Sequence, residues 1–118
     1  MNDAKDIGLD VHQATISAAV RDSDGKLVME AILETKAETI LQFVRGLRGS
    51  LHMTFEEGTC AAWLYALLKP HVTQVLVCDL RKNALLKVGN KNDRLDARKL
   101  AELLRANLLS SVFHEDTG

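Results

Sequence analysis

The chain has one proline, two cysteines and no apolar run near the ~20 residues that a membrane-spanning helix needs. Each scarcity removes a class. With so little proline, and no repeat or biased tract, there is no polyproline linker, low-complexity segment or array. Cys60 and Cys78 have neither zinc-type spacing nor a nearby histidine partner, and are expected to be small buried hydrophobes. The start of the chain lacks the charged-then-apolar pattern of a signal peptide, so the sequence reads as cytoplasmic, with no membrane contact. Aromatic residues are 4% of the total, and Trp63 is expected to be core rather than a platform on which bases stack.

Charge of one sign is also not in excess, the net value being −1 over 118 residues. The balance is local. Residues 1–80 carry 7 basic and 11 acidic side chains, whereas residues 81–105 carry eight basic ones against Asp93, Asp96 and Glu102. Glu115 and Asp116 make the tail acidic again. A polyanion can bind such a basic segment without the whole protein being basic. The candidate nucleic-acid contacts are Arg81, Lys82, Lys87, Lys91, Arg94 and Arg98. A solvated helix face explains the same segment when it is taken alone.

What the chain does have is 47% hydrophobic residues, enough for the core of one domain. "DIGLDVH" alternates, with Ile7, Leu9 and Val11 on one face and Gly8, Asp10 and His12 on the other. "ATISAAV" (14–20) and "KLVMEAIL" (26–33) follow as strands around an Asp24-Gly25 turn. Thr35 and Glu38 then match a capping box ahead of a helix through Ile40, Phe43, Val44 and Leu47. A fourth strand (51–56) ends at Glu56, a second helix (60–69) closes at Pro70, and a fifth strand spans 72–79. Helical patterning resumes near Arg81 and is strongest after Asn92, with Leu100, Leu103, Leu104 and Leu108 in one stripe. The order β-β-β-α-β-α-β-α predicts an α/β fold, a mixed five-stranded sheet flanked by helices. Ribonuclease H-like domains and actin-like ATPases share that order.

The acidic residues fall at telling places. Asp10 stands late in the first strand, where a carboxylate is costly to bury unless it is paired or holds a metal. Glu56 ends the fourth strand, and ligands gather at the carboxyl ends of such strands. Asp93 and Asp96 are three apart and share a face if both are helical. Four converging carboxylates would suit Mg²⁺ or Mn²⁺, and a pair of ions suits phosphodiester chemistry. Plainer readings exist. Asp93 can be an N-cap with Asp96 at N3, Glu56 and Glu57 an exposed strand exit, and Asp79 a helix-entry residue. His12 and His52 read as ordinary strand residues.

"IGLDVHQATISAAV", "TFEEGT" and "NKNDRLDARKLAELL" together resemble the N-terminal, RuvC-like domain of the DEDD insertion-sequence transposases, the Piv/MooV-type recombinases. The likeness covers residues 5–114 and implies a ribonuclease H-like fold. It carries the family tetrad onto Asp10, Glu56, Asp93 and Asp96, which would hold Mg²⁺ or Mn²⁺ (two ions) as catalytic metal. It implies DNA cleavage and joining during transposition, homo-oligomerisation of the full-length protein and, for some members, guidance by an RNA that the element encodes. The family continues into a helical region and a second domain with a serine nucleophile, absent from these residues. An excised domain or a truncated copy is therefore expected, incapable of full transposition by itself. The alternatives are a non-catalytic remnant that binds nucleic acid or full-length transposase, and a stand-alone RuvC-like nuclease. An actin-like ATPase half would need a Gly-Ser/Thr turn after Asp10, where Val11, His12 and Gln13 stand instead.

Overall fold

The computed structural model describes residues 3–79 and 96–109. They form β1 (Ala4–Val11), β2 (Thr15–Arg21), β3 (Leu27–Glu34), α1 (Ala37–Arg45), β4 (Ser50–Glu56), α2 (Ala61–Leu68), β5 (Gln74–Cys78) and α3 (Ala97–Arg105). The five strands make one mixed sheet of order β3-β2-β1-β4-β5. β1, β2 and β3 are an antiparallel meander, and β4 and β5 run parallel to β1 on its other side. This is the ribonuclease H-like α/β arrangement that the element order predicts. Among the described residues no helix is long and apolar enough to cross a membrane.

Alternation along the strands decides which side chains meet which helices. Ile7 and Leu9 of β1, Ile16 of β2, Met53 and Phe55 of β4 and Val75 and Val77 of β5 form one buried layer. α1 closes that layer with Ile40 and Val44, and α2 with Ala61, Leu64 and Leu68. Phe55 and Leu64 are wholly buried, each contributing roughly 1.5–3 kcal/mol by leaving water. The opposite face is covered by α3, whose Leu100 packs against Cys78 and Leu76. The buried hydroxyl of Thr54 on that face donates to the Leu76 carbonyl at 2.8 Å, so it costs the core no unmet hydrogen bond.

Gly8 is what allows α3 to lie so close to β1. A Cβ at this position would run into the carbonyl oxygen of Ala97 and come within 2.6 Å of the Ala101 nitrogen and 2.9 Å of the Leu100 Cβ. A glycine inside a strand often marks such a backbone approach.

Several local expectations are corrected. The Thr35–Glu38 box does not form: the N-cap of α1 is Lys36, with no side-chain cap. Thr35 is engaged elsewhere, its hydroxyl donating to the His12 carbonyl at 3.4 Å and its N–H to the Ala14 carbonyl at 3.1 Å. Trp63 is not core but 43% exposed, because α2 buries the i, i+3, i+7 set Ala61, Leu64 and Leu68. The helix is apolar almost all round, so its sequence period does not choose a face. Leu108 lies off the α3 stripe and is 54% exposed. The helix stops before it, at Asn107 with φ 62°. There the Asn107 and Leu108 N–H groups bond to the Leu104 and Leu103 carbonyls at 3.0 and 2.9 Å, a Schellman ending.

Candidate functional site

β1 and β4 are adjacent and parallel, with Leu9 paired to Phe55 as the last register pair. Asp10 and Glu56 are the next residue on each strand. They therefore stand side by side at the carboxyl end of the two central strands, on the face opposite the Leu9–Phe55 core. Glu56 is held from its other side as well, being paired with Cys78 of β5. The following N–H, of Glu57, donates to the Cys78 carbonyl at 2.9 Å. One oxygen of the Glu56 carboxylate is screened from solvent.

His12 is a residue that the alternation pattern hid. β1 ends at Val11, so His12 opens the β1–β2 turn instead of continuing the strand. Its backbone N–H donates to the Thr15 carbonyl at 2.8 Å, closing the turn. Its Nε2 lies 3.2 Å from Asp10 Oδ2; an ionised carboxylate only accepts, so the imidazole is the donor. The two-residue offset that puts alternate strand residues on one face was the available signal. The Asp10 side chain is 16% exposed and that of His12 46%, and the hydrogen bond between them orients the carboxylate.

α3 opens with a further carboxylate, Asp96. The helix starts over Gly8 and runs back along β1, so that Glu102 and Arg105 at its far end act on Asp6. Asp96 immediately precedes Ala97, and its charge acts on Glu30 and Arg98. The structure corrects its local role: Asp96, not Asp93, is the N-cap of the described helix. Its backbone is extended (φ −78°, ψ 173°), and its Oδ1 accepts from the Lys99 N–H at 2.8 Å. Asp96 is therefore outside the helix, not at its N3 position. Asp93 lies outside the described residues, as do Arg81, Lys82, Lys87, Lys91 and Arg94. Among the described residues, no three His, Cys, Asp or Glu side chains converge as a group able to hold a metal.

Arg98 is the one candidate nucleic-acid contact that is described. Its guanidinium grips Glu30 of β3 through two hydrogen bonds, Nε to Oε2 at 2.6 Å and Nη2 to Oε1 at 3.0 Å. That pairing holds the Glu30 carboxyl below its ordinary range and raises the arginine. Both groups are on the surface, so the pair fixes where Arg98 points more than it stabilises the fold.

At the far end of α3, burial pushes the Asp6 carboxyl above its ordinary range, against the opposing pull of His52 and Arg105. Asp6 and His52 are register partners on β1 and β4. At the site end, burial next to Glu56 pushes the Cys78 thiol up to about 11. Cys78 is buried as expected, but Cys60 is only partly so, lying on the wall of a pocket. This pocket of about 490 Å³ lies between the β1–β2 turn, the end of β4 and the start of α2, with Glu56 and His12 on its lining.

No curated protein matches the chain. A family profile described as a transposase, that of the DEDD enzymes of the IS110 type, matches residues 7–117, which include β1 from Ile7 onward and every described strand and helix after it. On that match, the chain belongs to the DEDD family of IS110-type transposases.

Proposed function

We propose that this chain is the catalytic domain of a DNA transposase, in which Asp10, Glu56, Asp93 and Asp96 hold divalent metal for strand cleavage and joining. The observation that carries the reading is the Leu9–Phe55 register, which sets Asp10 beside Glu56 at the carboxyl end of the central strands. Asp96 caps α3, and the cap fixes where its carboxylate stands before any ligand arrives. The donor set is made of hard carboxylate oxygens, which fits Mg²⁺ or Mn²⁺ in kind. Metal bound there would activate a nucleophile and stabilise the leaving oxygen of a phosphodiester.

The chain's own side chains divide the remaining work. His12 holds the Asp10 carboxylate through its Nε2 hydrogen bond. Arg98, tied to Glu30 beside α3, places a cation where a nucleic-acid backbone would pass. The basic residues Arg81, Lys82, Lys87, Lys91 and Arg94 extend that contact along the sequence, in the cytoplasm where such DNA lies.

Thermal unfolding in Mn²⁺ tests the proposal. The wild type is expected to melt higher with Mn²⁺ than with the same concentration of Na⁺-balanced buffer, and Asp10→Asn and Glu56→Gln are expected to lose that rise. An equal rise in all three proteins would refute the metal site.

A further inference from the structure

The pocket beside Glu56 has a composition that selects its occupant. Its lining includes the apolar Val11, Phe55, Ala61 and Leu64, the last three buried, and the exposed polar residues Gln13 and Thr59. Among the described residues no lysine or arginine lines it, whereas Glu56 and Glu57 both do. The first turn of α2 contributes a partial positive charge of about half an electron, too little to offset two carboxylates. The described lining therefore offers a phosphate no cationic partner. An uncharged flat group with hydrogen-bonding edges is suited, and about 490 Å³ lies within the usual range for small-molecule sites.

Its position relates that group to the carboxylates. Glu56 belongs to both the sheet edge and the pocket lining, and His12 lines the pocket while bonding Asp10. A strand whose backbone meets the Asp10–Glu56 edge thus has the pocket mouth within reach of an adjoining base. The pocket is a recess walled by the β1–β2 turn and α2, so a base enters only after leaving its stack, as in enzymes that extrude a nucleotide. We propose, building on the DNA-processing reading above, that this pocket receives one unstacked DNA base next to the phosphate at the carboxylates. The substrate is then DNA that is unpaired at that position. The apolar lining takes the face of the base, and Gln13, Thr59 and Glu57 meet its edge.

Cys60 reports on occupancy because it lines the pocket and is partly exposed, while Cys78 is buried and serves as the unreactive internal reference. Alkylation of each cysteine is followed by mass spectrometry, with thymidine, 2′-deoxyadenosine or deoxyribose 5-phosphate at millimolar concentration. Parallel arms use a single-stranded oligodeoxynucleotide, its blunt duplex and an abasic oligomer of equal length, whose binding is measured by fluorescence anisotropy. Nucleosides and the single strand are expected to slow Cys60 alkylation at least fivefold; the sugar phosphate, the abasic oligomer and the duplex are not. Gln13→Ala, at an exposed turn position, is expected to leave the melting temperature unchanged and weaken protection severalfold. Equal protection by the abasic oligomer, or binding of the single strand without protection, would overturn the base pocket and leave the DNA reading standing. Protection by nucleosides with no oligonucleotide binding would support the pocket and sink the DNA reading instead.

Discussion

Replacing Gly8 by alanine adds one methyl group to a central strand and is expected to dislodge α3. The new Cβ would meet backbone atoms, the Ala97 carbonyl oxygen and the Ala101 nitrogen, which cannot rotate aside as a flexible side chain would. Overpacking of this kind costs about 1–3 kcal/mol, and a backbone obstacle puts it at the upper end. The loss of glycine's freedom in the unfolded chain returns roughly 0.4–1 kcal/mol. The net loss is then about 2–2.6 kcal/mol. For 118 residues at an unfolding entropy of roughly 2.1 cal/mol/K per residue, that lowers the melting temperature by about 8–10 °C.

The control is Gly46→Ala, at the C-cap of α1. Its φ of −80° suits any residue, and the nearest atoms to an added Cβ are ordinary contacts at 3.5 and 3.7 Å. That variant is expected to melt at or slightly above wild type. Circular dichroism melts measure both, and alkylation of Cys78 gives a second reading, because Leu100 of α3 covers it. A Gly8→Ala protein melting within about 2 °C of wild type, with Cys78 still protected, would refute the close-approach argument.

Asp96→Asn is expected to keep the stability of the metal-free protein, since asparagine caps equally well, whereas Asp96→Ala loses about 1 kcal/mol in urea unfolding. Both are expected to lose the Mn²⁺-induced rise in melting temperature. Asp6 has a raised carboxyl, so the folded state binds more proton than the unfolded state between the ordinary and the raised value. Its contribution to stability therefore falls as pH rises through that window. Asp6→Asn is expected to remove this slope and to be neutral or stabilising at neutral pH, as measured by urea titrations across acidic pH. Glu30→Ala releases Arg98 from its ion pair and is expected to tighten DNA binding and steepen its salt dependence by about one unit of slope, while Arg98→Ala weakens it. Unchanged salt slopes in both variants would remove Arg98 from the interface.

The fold was legible because its signals are redundant. Alternation in β1, β2 and β4, the Asp24-Gly25 turn and Pro70 each fix an element boundary to within a residue or two. The order of the elements then left few sheets to choose from. Asp10 and Glu56 were legible for the same reason, since parallel pairing of the first and fourth strands follows from the order. Features decided by tertiary competition were not. Thr35 matches a capping pattern, yet its hydroxyl is taken by the β1–β2 turn. Trp63 is apolar but sits on a helix whose other face packs better. His12 continues the alternation of β1 on paper, and only the turn hydrogen bond shows that the strand has ended. Gly8 was readable as an interruption of a strand, but its partner, the α3 backbone, is supplied by residues far along the chain. The cap at Asp96 was misplaced by one turn because Asp93 satisfies the same local rule.

The distance in sequence between β1 and α3 also sets a clock. Asp10 and Asp96 are 86 positions apart, and synthesis at about 5–20 residues per second separates their appearance by roughly 4–17 s. Through that interval the β1–β3 meander can pair locally, but Glu56 has no place until β4 finds β1, and the groove over Gly8 stays open until α3 arrives. Non-local parallel pairing is the slow part of such a fold. The edge that carries Asp10 and Glu56 is therefore completed by late events of folding, and a nascent or partly unfolded chain can present Asp10 before Glu56 stands beside it.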